Sequence, residues 1–257
     1  MKKKEILQIL NLISFIATVI VNFLAVLLPI GGNTTQELSD ALPNLFVPAG
    51  ITFSIWTFIY IFLGIFSVYQ IRDIFKKDKI EMKFLDDIGY FFIIGSLANI
   101  LWIIIWHYRL VPLSLILMII LLISLLFIYI KLNIGKLKVS KIEKVAVHIP
   151  FSIYLGWITV ATIANVTAVL VVLGVDAFNP LAVILTILVI AVAVLITFAM
   201  LLLRKDYAYS IVIIWAILGI FIKQITANLT IAITALVSVI LILIGIVYLI
   251  IREKVLR

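Results

Sequence analysis

The chain has 257 residues, of which 66% are hydrophobic, a net charge of +8 and no cysteine. A soluble domain has about 45–50% apolar residues, so this composition indicates a membrane protein almost throughout. The missing cysteines exclude disulfides, thiolate metal sites and cysteine nucleophiles. A strongly basic soluble protein suggests a nucleic-acid partner, but the positions of the charges in this chain argue for a different origin.

Eight segments are apolar and long enough, or nearly so, to cross the hydrocarbon core, which takes about 20 helical residues. In chain order they are 8–30, 50–70, 89–107, 111–131, 147–172, 180–203, 208–223 and 229–251. The first follows a basic start, but no small-residue cleavage site follows its apolar run, so we predict a retained helix rather than a signal peptide. The sequence therefore predicts an all-α, polytopic membrane bundle of about eight helices, in which the seventh is the shortest.

The basic residues are divided unequally between the two sides of the predicted membrane. Of 20 Lys and Arg residues, 18 fall at the two termini and in the segments 71–88, 131–146 and 204–207, whereas Arg109 and Lys223 lie on the other side. By the positive-inside rule both termini are cytoplasmic, and an odd number of spans would destroy this division. We expect an integral, multi-pass protein of a bacterial or archaeal cytoplasmic membrane, with the bilayer rather than nucleic acid as its partner.

Ionisable side chains deep in a membrane mark proton and ion paths, and the predicted spans have essentially none. Asp73 and Asp206 fall in cytoplasmic turns. His107 and His148 lie at opposite ends of their spans, roughly a membrane thickness apart at ~1.5 Å per residue, so they do not share a metal. The sequence therefore predicts no metal site and no catalytic residue, and it argues against an ion-coupled pump.

Aromatic and polar residues recur at steps of three and four in three spans, which places each set on one helix face. The sets are Phe53, Trp56, Tyr60 and Gly64; Asn99, Trp102 and Trp106; and Tyr154, Trp157, Ala161 and Asn165. Leu or Ile would suffice against lipid, so these faces predict a lined cavity between helices. For Trp106 an interfacial belt position is an alternative, and Asn22 is interpreted as a helix–helix contact alone.

The segment 31–49 lies above these faces on the external side. It has no basic residue, and its Leu42, Leu45, Phe46 and Val47 are apolar enough to fold back onto the bundle. Loops of this length in compact proteins are often functional lids. An ordinary connector is the alternative.

Three motifs in the same spans resemble the TspO/MBR family of tryptophan-rich sensory and translocator proteins. PAGITFSIWTFIYIFLG (48–64) is similar to the family's second helix, ANILW (98–102) to its third and YLGWITVATIAN (154–165) to its fifth. The matched positions are Pro48, Trp56, Tyr60, Gly64, Asn99, Trp102, Tyr154, Trp157 and Asn165. The resemblance implies a five-helix core over 1–175, which leaves 176–257 as a three-helix extension.

The resemblance implies a membrane receptor or sensor that binds a flat lipophilic ligand between helices two, three and five. The ligand would be a tetrapyrrole such as porphyrin or haem, or a sterol-like molecule. Tryptophans would wall it, Tyr60 and Tyr154 would donate hydrogen bonds, and Asn99 and Asn165 would orient polar edges. Phe53, Trp106 and Ala161 are added on helical geometry alone.

Two other functions stay open at this stage. The protein could transport small lipophilic molecules, although no inverted repeat is visible, or it could degrade porphyrin as an enzyme. A homodimer is also open, because short TspO-like proteins tend to dimerise and the added helices would change the available surface.

Overall fold

The computed structural model describes residues 3–28, 30–176 and 178–255, which fold into a bundle of helices. The eight long helices are α1 Lys3–Leu27, α2 Gly50–Gln70, α3 Phe91–His107, α4 Val111–Lys131, α5 Lys141–Val172, α6 Pro180–Arg204, α7 Tyr207–Gln224 and α8 Leu229–Val255. Seven are long and apolar enough to cross a membrane, and α3 is apolar but has 17 residues. The predicted all-α polytopic bundle is confirmed. The sequence predicted α7 as the shortest of the eight, but α7 has 18 residues and α3 is shorter.

Helix ends differ from the hydropathy pattern where local chemistry sets them. A short helix, Lys83–Ile88, precedes α3 and ends at Gly89, whose φ of +52° is a conformation that glycine adopts without strain. The α3–α4 hairpin closes at Arg109, with a φ of +58°. At the start of α5, the Ser140 hydroxyl accepts a hydrogen bond from the Glu143 amide, so this helix begins before the predicted residue 147. Such caps depend on side-chain hydrogen bonds that apolar run length does not reveal.

The C-terminal helices join the first five through α7. This helix packs against α5 and the start of α2 on one side and against α6 and α8 on the other. Close approach depends on Gly219 of α7, because an added Cβ there would lie 2.0 Å from Oγ1 of Thr52. Trp215 of α7 also donates its indole N–H to the Thr52 carbonyl at 2.9 Å.

The basic segments lie together at one end of the bundle, which we call the basic end. Lys3 pairs with Asp86 at 3.0 Å, which joins the N-terminus to the segment 71–88. Arg204 donates to the Ile134 carbonyl at 2.9 Å, which joins α6 to the segment after α4. The unequal charge distribution of the sequence therefore corresponds to one physical end of the molecule.

Asp73 joins α1 to the end of α2 at the basic end. Its carboxylate is fully buried, accepts hydrogen bonds from the Gln8 amide at 2.8 Å and the Ile80 backbone N–H at 2.7 Å, and pairs with Lys4. Burial raises the pKa of Asp73, but the hydrogen bonds and the charge of Lys4 outweigh burial and lower that pKa to about 2. This carboxylate is therefore ionised at neutral pH and holds the two helices together.

Asp206 joins α4, α5 and α7. Its Oδ2 accepts hydrogen bonds from the hydroxyls of Tyr129 and Ser152, each at 2.8 Å, and its Oδ1 accepts the Tyr209 backbone N–H at 3.0 Å. The last bond caps the first turn of α7. One buried carboxylate thus fixes the start of α7 against the first five helices.

Replacing Asp206 by Ala should destabilise the bundle strongly. The variant leaves two buried hydroxyls without their acceptor, at about 1.5–3 kcal/mol for each hydrogen bond to a charged group, and it removes a helix cap worth about 1 kcal/mol. We expect the free energy of unfolding, measured by SDS titration of the protein in mild detergent micelles, to fall by about 3 kcal/mol or more.

The matched control is Asp78→Ala, which removes an exposed carboxylate at the same end of the bundle. This change should alter the free energy of unfolding by less than about 0.5 kcal/mol. Equal unfolding curves for the Asp206 and Asp78 variants would contradict the role given to Asp206.

Candidate functional site

Trp56 of α2 lies at the centre of a group of aromatic side chains. Its ring stacks on Tyr60 at a centroid distance of 5.6 Å and meets the edges of Trp157 at 6.1 Å and Tyr154 at 6.2 Å. Trp102 of α3 lies 6.5 Å away with its ring plane tilted by 30°. These contacts bring the predicted faces of α2, α3 and α5 together around one residue.

Two further contacts extend this group towards each side. Phe53 meets the edge of Trp157 at 6.0 Å, and Trp106 stacks on Trp102 at 5.8 Å. We call the whole set the aromatic cluster: Phe53, Trp56, Tyr60, Trp102, Trp106, Tyr154 and Trp157. All these distances lie in the range that aromatic pairs prefer, so the rings themselves fill the space between the helices.

Asn99 holds the cluster on the side of α1. This residue is completely buried, and its Oδ1 accepts a hydrogen bond from the Asn22 amide at 2.7 Å. Its own amide donates to the Tyr154 hydroxyl at 3.2 Å. The predicted helix–helix contact of Asn22 is confirmed, because its amide joins α1 to α3, and the same hydrogen bond fixes Asn99 beside the cluster.

Asn165 holds the cluster on the side of α4. Its Oδ1 accepts the Trp102 indole N–H at 3.0 Å, and its amide donates to the Ser114 hydroxyl at 3.1 Å. Ser114 donates in turn to the Val111 carbonyl at 2.7 Å. Sequence reasoning missed Ser114, and its only signal is a hydroxyl near the start of an otherwise apolar helix.

Two polar atoms of the cluster have no partner. The Tyr60 hydroxyl and the Trp157 indole N–H are both buried, and neither makes a hydrogen bond within the described residues. Leaving such a group unpaired costs about 1–3 kcal/mol, and buried polar groups are usually paired. The cluster therefore contains two hydrogen-bonding groups that are available to the polar edge of a ligand.

The segment 31–49 folds back over the cluster and is called the lid. It contains the helix Thr35–Asp40, which Thr34 and Glu37 cap reciprocally. The Thr34 amide and hydroxyl lower the pKa of the Glu37 carboxyl. Leu45, Phe46 and Val47 are buried and Leu42 is partly buried against the core, so the predicted folding back of these apolar residues is confirmed.

The lid is attached to α3 and to α7. Trp106 donates its indole N–H to the Thr35 carbonyl at 3.3 Å, Gln224 donates to the Leu45 carbonyl at 3.1 Å, and Lys223 pairs with Asp40 at 2.5 Å. Trp106 is therefore a buried lid contact rather than a lipid-facing belt residue. The aromatic cluster and α7 hold the lid from opposite sides.

The remaining predicted residues lie outside these contacts. Ala161 is partly buried against the core and Pro48 is buried in the lid, but in the described residues neither has a ring contact or hydrogen bond with the cluster. Gly64 faces α1, where an added Cβ would lie 3.5 Å from Phe15. Within the described parts of the chain, no group of three or more His, Cys, Asp or Glu residues is placed to hold a metal ion.

A family model described as TSPO-like protein matches residues 8–248 of the chain. The chain belongs to the TSPO-like protein family. The match begins within α1 and ends within α8, so it contains α6, α7 and most of α8 of this TSPO-like protein. No curated protein and no solved structure matches the chain. The division into a core over 1–175 and an extension over 176–257 stays a prediction.

Proposed function

We propose that this TSPO-like protein is a membrane receptor or sensor for a flat, largely apolar ligand bound between α2, α3 and α5. A tetrapyrrole such as porphyrin or haem, or a sterol-like molecule, has the required chemistry. The observation that carries the proposal is the pair of unpartnered groups, the Tyr60 hydroxyl and the Trp157 indole N–H, inside a wall of aromatic rings. A ligand with acceptor atoms at its edge would pair both groups while its faces contact the rings.

The rings must separate slightly to admit such a ligand. A planar molecule between two rings needs a van der Waals gap of about 3.5 Å on each face. The centroids of Trp56 and Trp102 are already 6.5 Å apart. This separation is the widest among the near-parallel ring pairs of the cluster, so we assign these two rings to the two faces of the ligand.

The asparagines take a different role from the one that the family resemblance implies. Both amide atoms of Asn165 are used inside the protein, by Trp102 and Ser114. Asn99 is likewise shared between Asn22 and Tyr154. In this proposal they position the aromatic side chains, and the hydrogen bonds to the ligand come from Tyr60 and Trp157.

A sensor role is favoured because the cluster is connected to the lid. A ligand beside Trp102 would move the stacked ring of Trp106, whose indole N–H bonds the Thr35 carbonyl of the lid. Binding between the helices would therefore change a contact at the protein surface. This coupling is what a receptor needs to report that its ligand is bound.

Porphyrin titration of the purified protein should quench tryptophan fluorescence in a saturable way. Trp102→Phe and Trp157→Phe should each weaken binding by about tenfold, because the first removes stacking area and the second removes a hydrogen-bond donor. The matched control is Trp215→Phe, which also removes one indole but lies outside the aromatic cluster. Absence of saturable quenching, or equal affinities for all three variants, would contradict the proposal.

We further propose that the basic end faces the cytoplasm, as the positive-inside rule requires. Because the chain has no cysteine, labelling of a single substituted cysteine shows on which side of the membrane that residue lies, without a background signal. Lys77→Cys is exposed at the basic end, and Ala41→Cys is exposed in the lid. A membrane-impermeant maleimide added to intact cells should label the Ala41 variant alone, and permeabilised cells should show both; the reverse pattern would contradict this orientation.

A further inference from the structure

A groove of about 1320 Å³ lies on the other side of α2 and α5, between these helices and α7. Its apolar walls are formed by Ile55, Phe58, Phe62, Ile153, Ile211 and Trp215. Phe58 is 55% exposed and Ile211 is 60% exposed, so the groove is open along its length to the surrounding hydrocarbon. No residue of the aromatic cluster lines it.

The groove ends among basic residues. Lys136, Lys138 and Lys144 line its mouth and are exposed. Within the described part of the chain, their ammonium groups have no hydrogen bond or ion pair. They bring three positive charges to one end of an apolar groove.

The acidic residues that line the groove are fewer than the basic ones. Asp206 is buried and accepts hydrogen bonds from Tyr129 and Ser152. Glu253 pairs with Lys205 at 2.7 Å. Because Arg204 and Lys205 also line the groove, five basic side chains stand against two carboxylates, and the net positive charge attracts an anionic group.

We propose that this groove binds one anionic phospholipid, with an acyl chain along the apolar walls and the phosphate at Lys136, Lys138 and Lys144. The charge selects an anionic headgroup, since basic residues at a membrane surface favour anionic lipids. The volume exceeds the ~300–1,000 Å³ typical of sites for drug-sized ligands. The proposal does not depend on the ligand of the aromatic cluster.

The length of the groove matches one leaflet. From Tyr207 at the mouth to Trp215 along α7, a rise of ~1.5 Å per residue gives about 12 Å. Half of a hydrocarbon core of ~30 Å is about 15 Å. An acyl chain that enters at the basic end therefore stays in contact with the walls through most of its own leaflet.

Trp215 provides a reporter inside the groove, because bromine atoms on an acyl chain quench tryptophan that they touch. The protein is placed in vesicles containing equal amounts of phosphatidylglycerol and phosphatidylcholine, with bromine on the chains of one lipid or the other. The contribution of Trp215 is the difference between the wild-type protein and Trp215→Phe. We expect brominated phosphatidylglycerol to quench this contribution with an apparent affinity on the order of tenfold higher than brominated phosphatidylcholine.

Two triple variants separate the groove from general surface charge. The first variant combines Lys136→Gln, Lys138→Gln and Lys144→Gln. It should remove the preference for phosphatidylglycerol over phosphatidylcholine. The second variant combines Lys76→Gln, Lys77→Gln and Lys83→Gln. It loses the same charge at the same end of the bundle but outside the groove, so it should retain the preference for phosphatidylglycerol. Equal quenching by both lipids in the wild-type protein, or equal loss in both triple variants, overturns the proposal.

A separate experiment tests whether the apolar walls hold an acyl chain. Ala208→Phe fills the groove wall next to its mouth and should reduce the quenching of Trp215 by both brominated lipids at least severalfold. Soluble glycerol phosphate should not displace the brominated lipid, because it lacks the chain. Displacement by glycerol phosphate at millimolar concentration, or unchanged quenching in the Ala208 variant, would show that the apolar walls do not hold the ligand.

Discussion

Buried polar atoms must find their hydrogen-bond partners inside the protein, most strictly where hydrocarbon surrounds it, and the bundle is organised around the places where this happens. Asp73 joins α1 to α2, and Asp206 joins α7 to α4 and α5. Asn99 and Asn165 do the same around the aromatic cluster. Nine buried side-chain atoms in the described residues have no hydrogen-bond partner, and two of them, the Tyr60 hydroxyl and the Trp157 indole N–H, lie together in the aromatic cluster, where we propose that they meet a ligand.

The fold class was predictable from the sequence because apolar run length and the distribution of Lys and Arg are imposed by the membrane itself. The cluster was also largely predictable, since steps of three and four place Trp56 and Tyr60 on one face whatever they touch. The direct contact between the aromatic faces of α2, α3 and α5 was not predictable. Periodicity shows which side of a helix a residue occupies, but not which other helix packs against that side. The partnership of Tyr129 with Asp206 spans 77 positions of the chain, and no local pattern in the sequence signals it.

The contact of α7 with the first five helices shows the same limit. It depends on Gly219, where the missing side chain leaves room for Thr52. In the sequence this glycine is one small residue in an apolar helix. The need for glycine at this position becomes clear only when Thr52 is placed beside it.

The aromatic cluster and the groove use different faces of α2 and α5. The cluster lies beneath the lid, whereas the groove opens at the basic end. Trp215 belongs to the groove wall and donates its indole N–H to the Thr52 carbonyl at the start of α2. A ligand in the cluster and a lipid in the groove would therefore act on the same two helices from opposite sides.

The most direct test of the central claim is the indole N–H resonance of Trp157 in protein labelled with ¹⁵N-tryptophan and assigned with Trp157→Phe. If this unpartnered group contacts the ligand, saturating porphyrin will shift the Trp157 resonance downfield, as expected for a new hydrogen bond, and leave Trp215 unchanged. A Trp157 resonance that stays in place while porphyrin binds would contradict the claim.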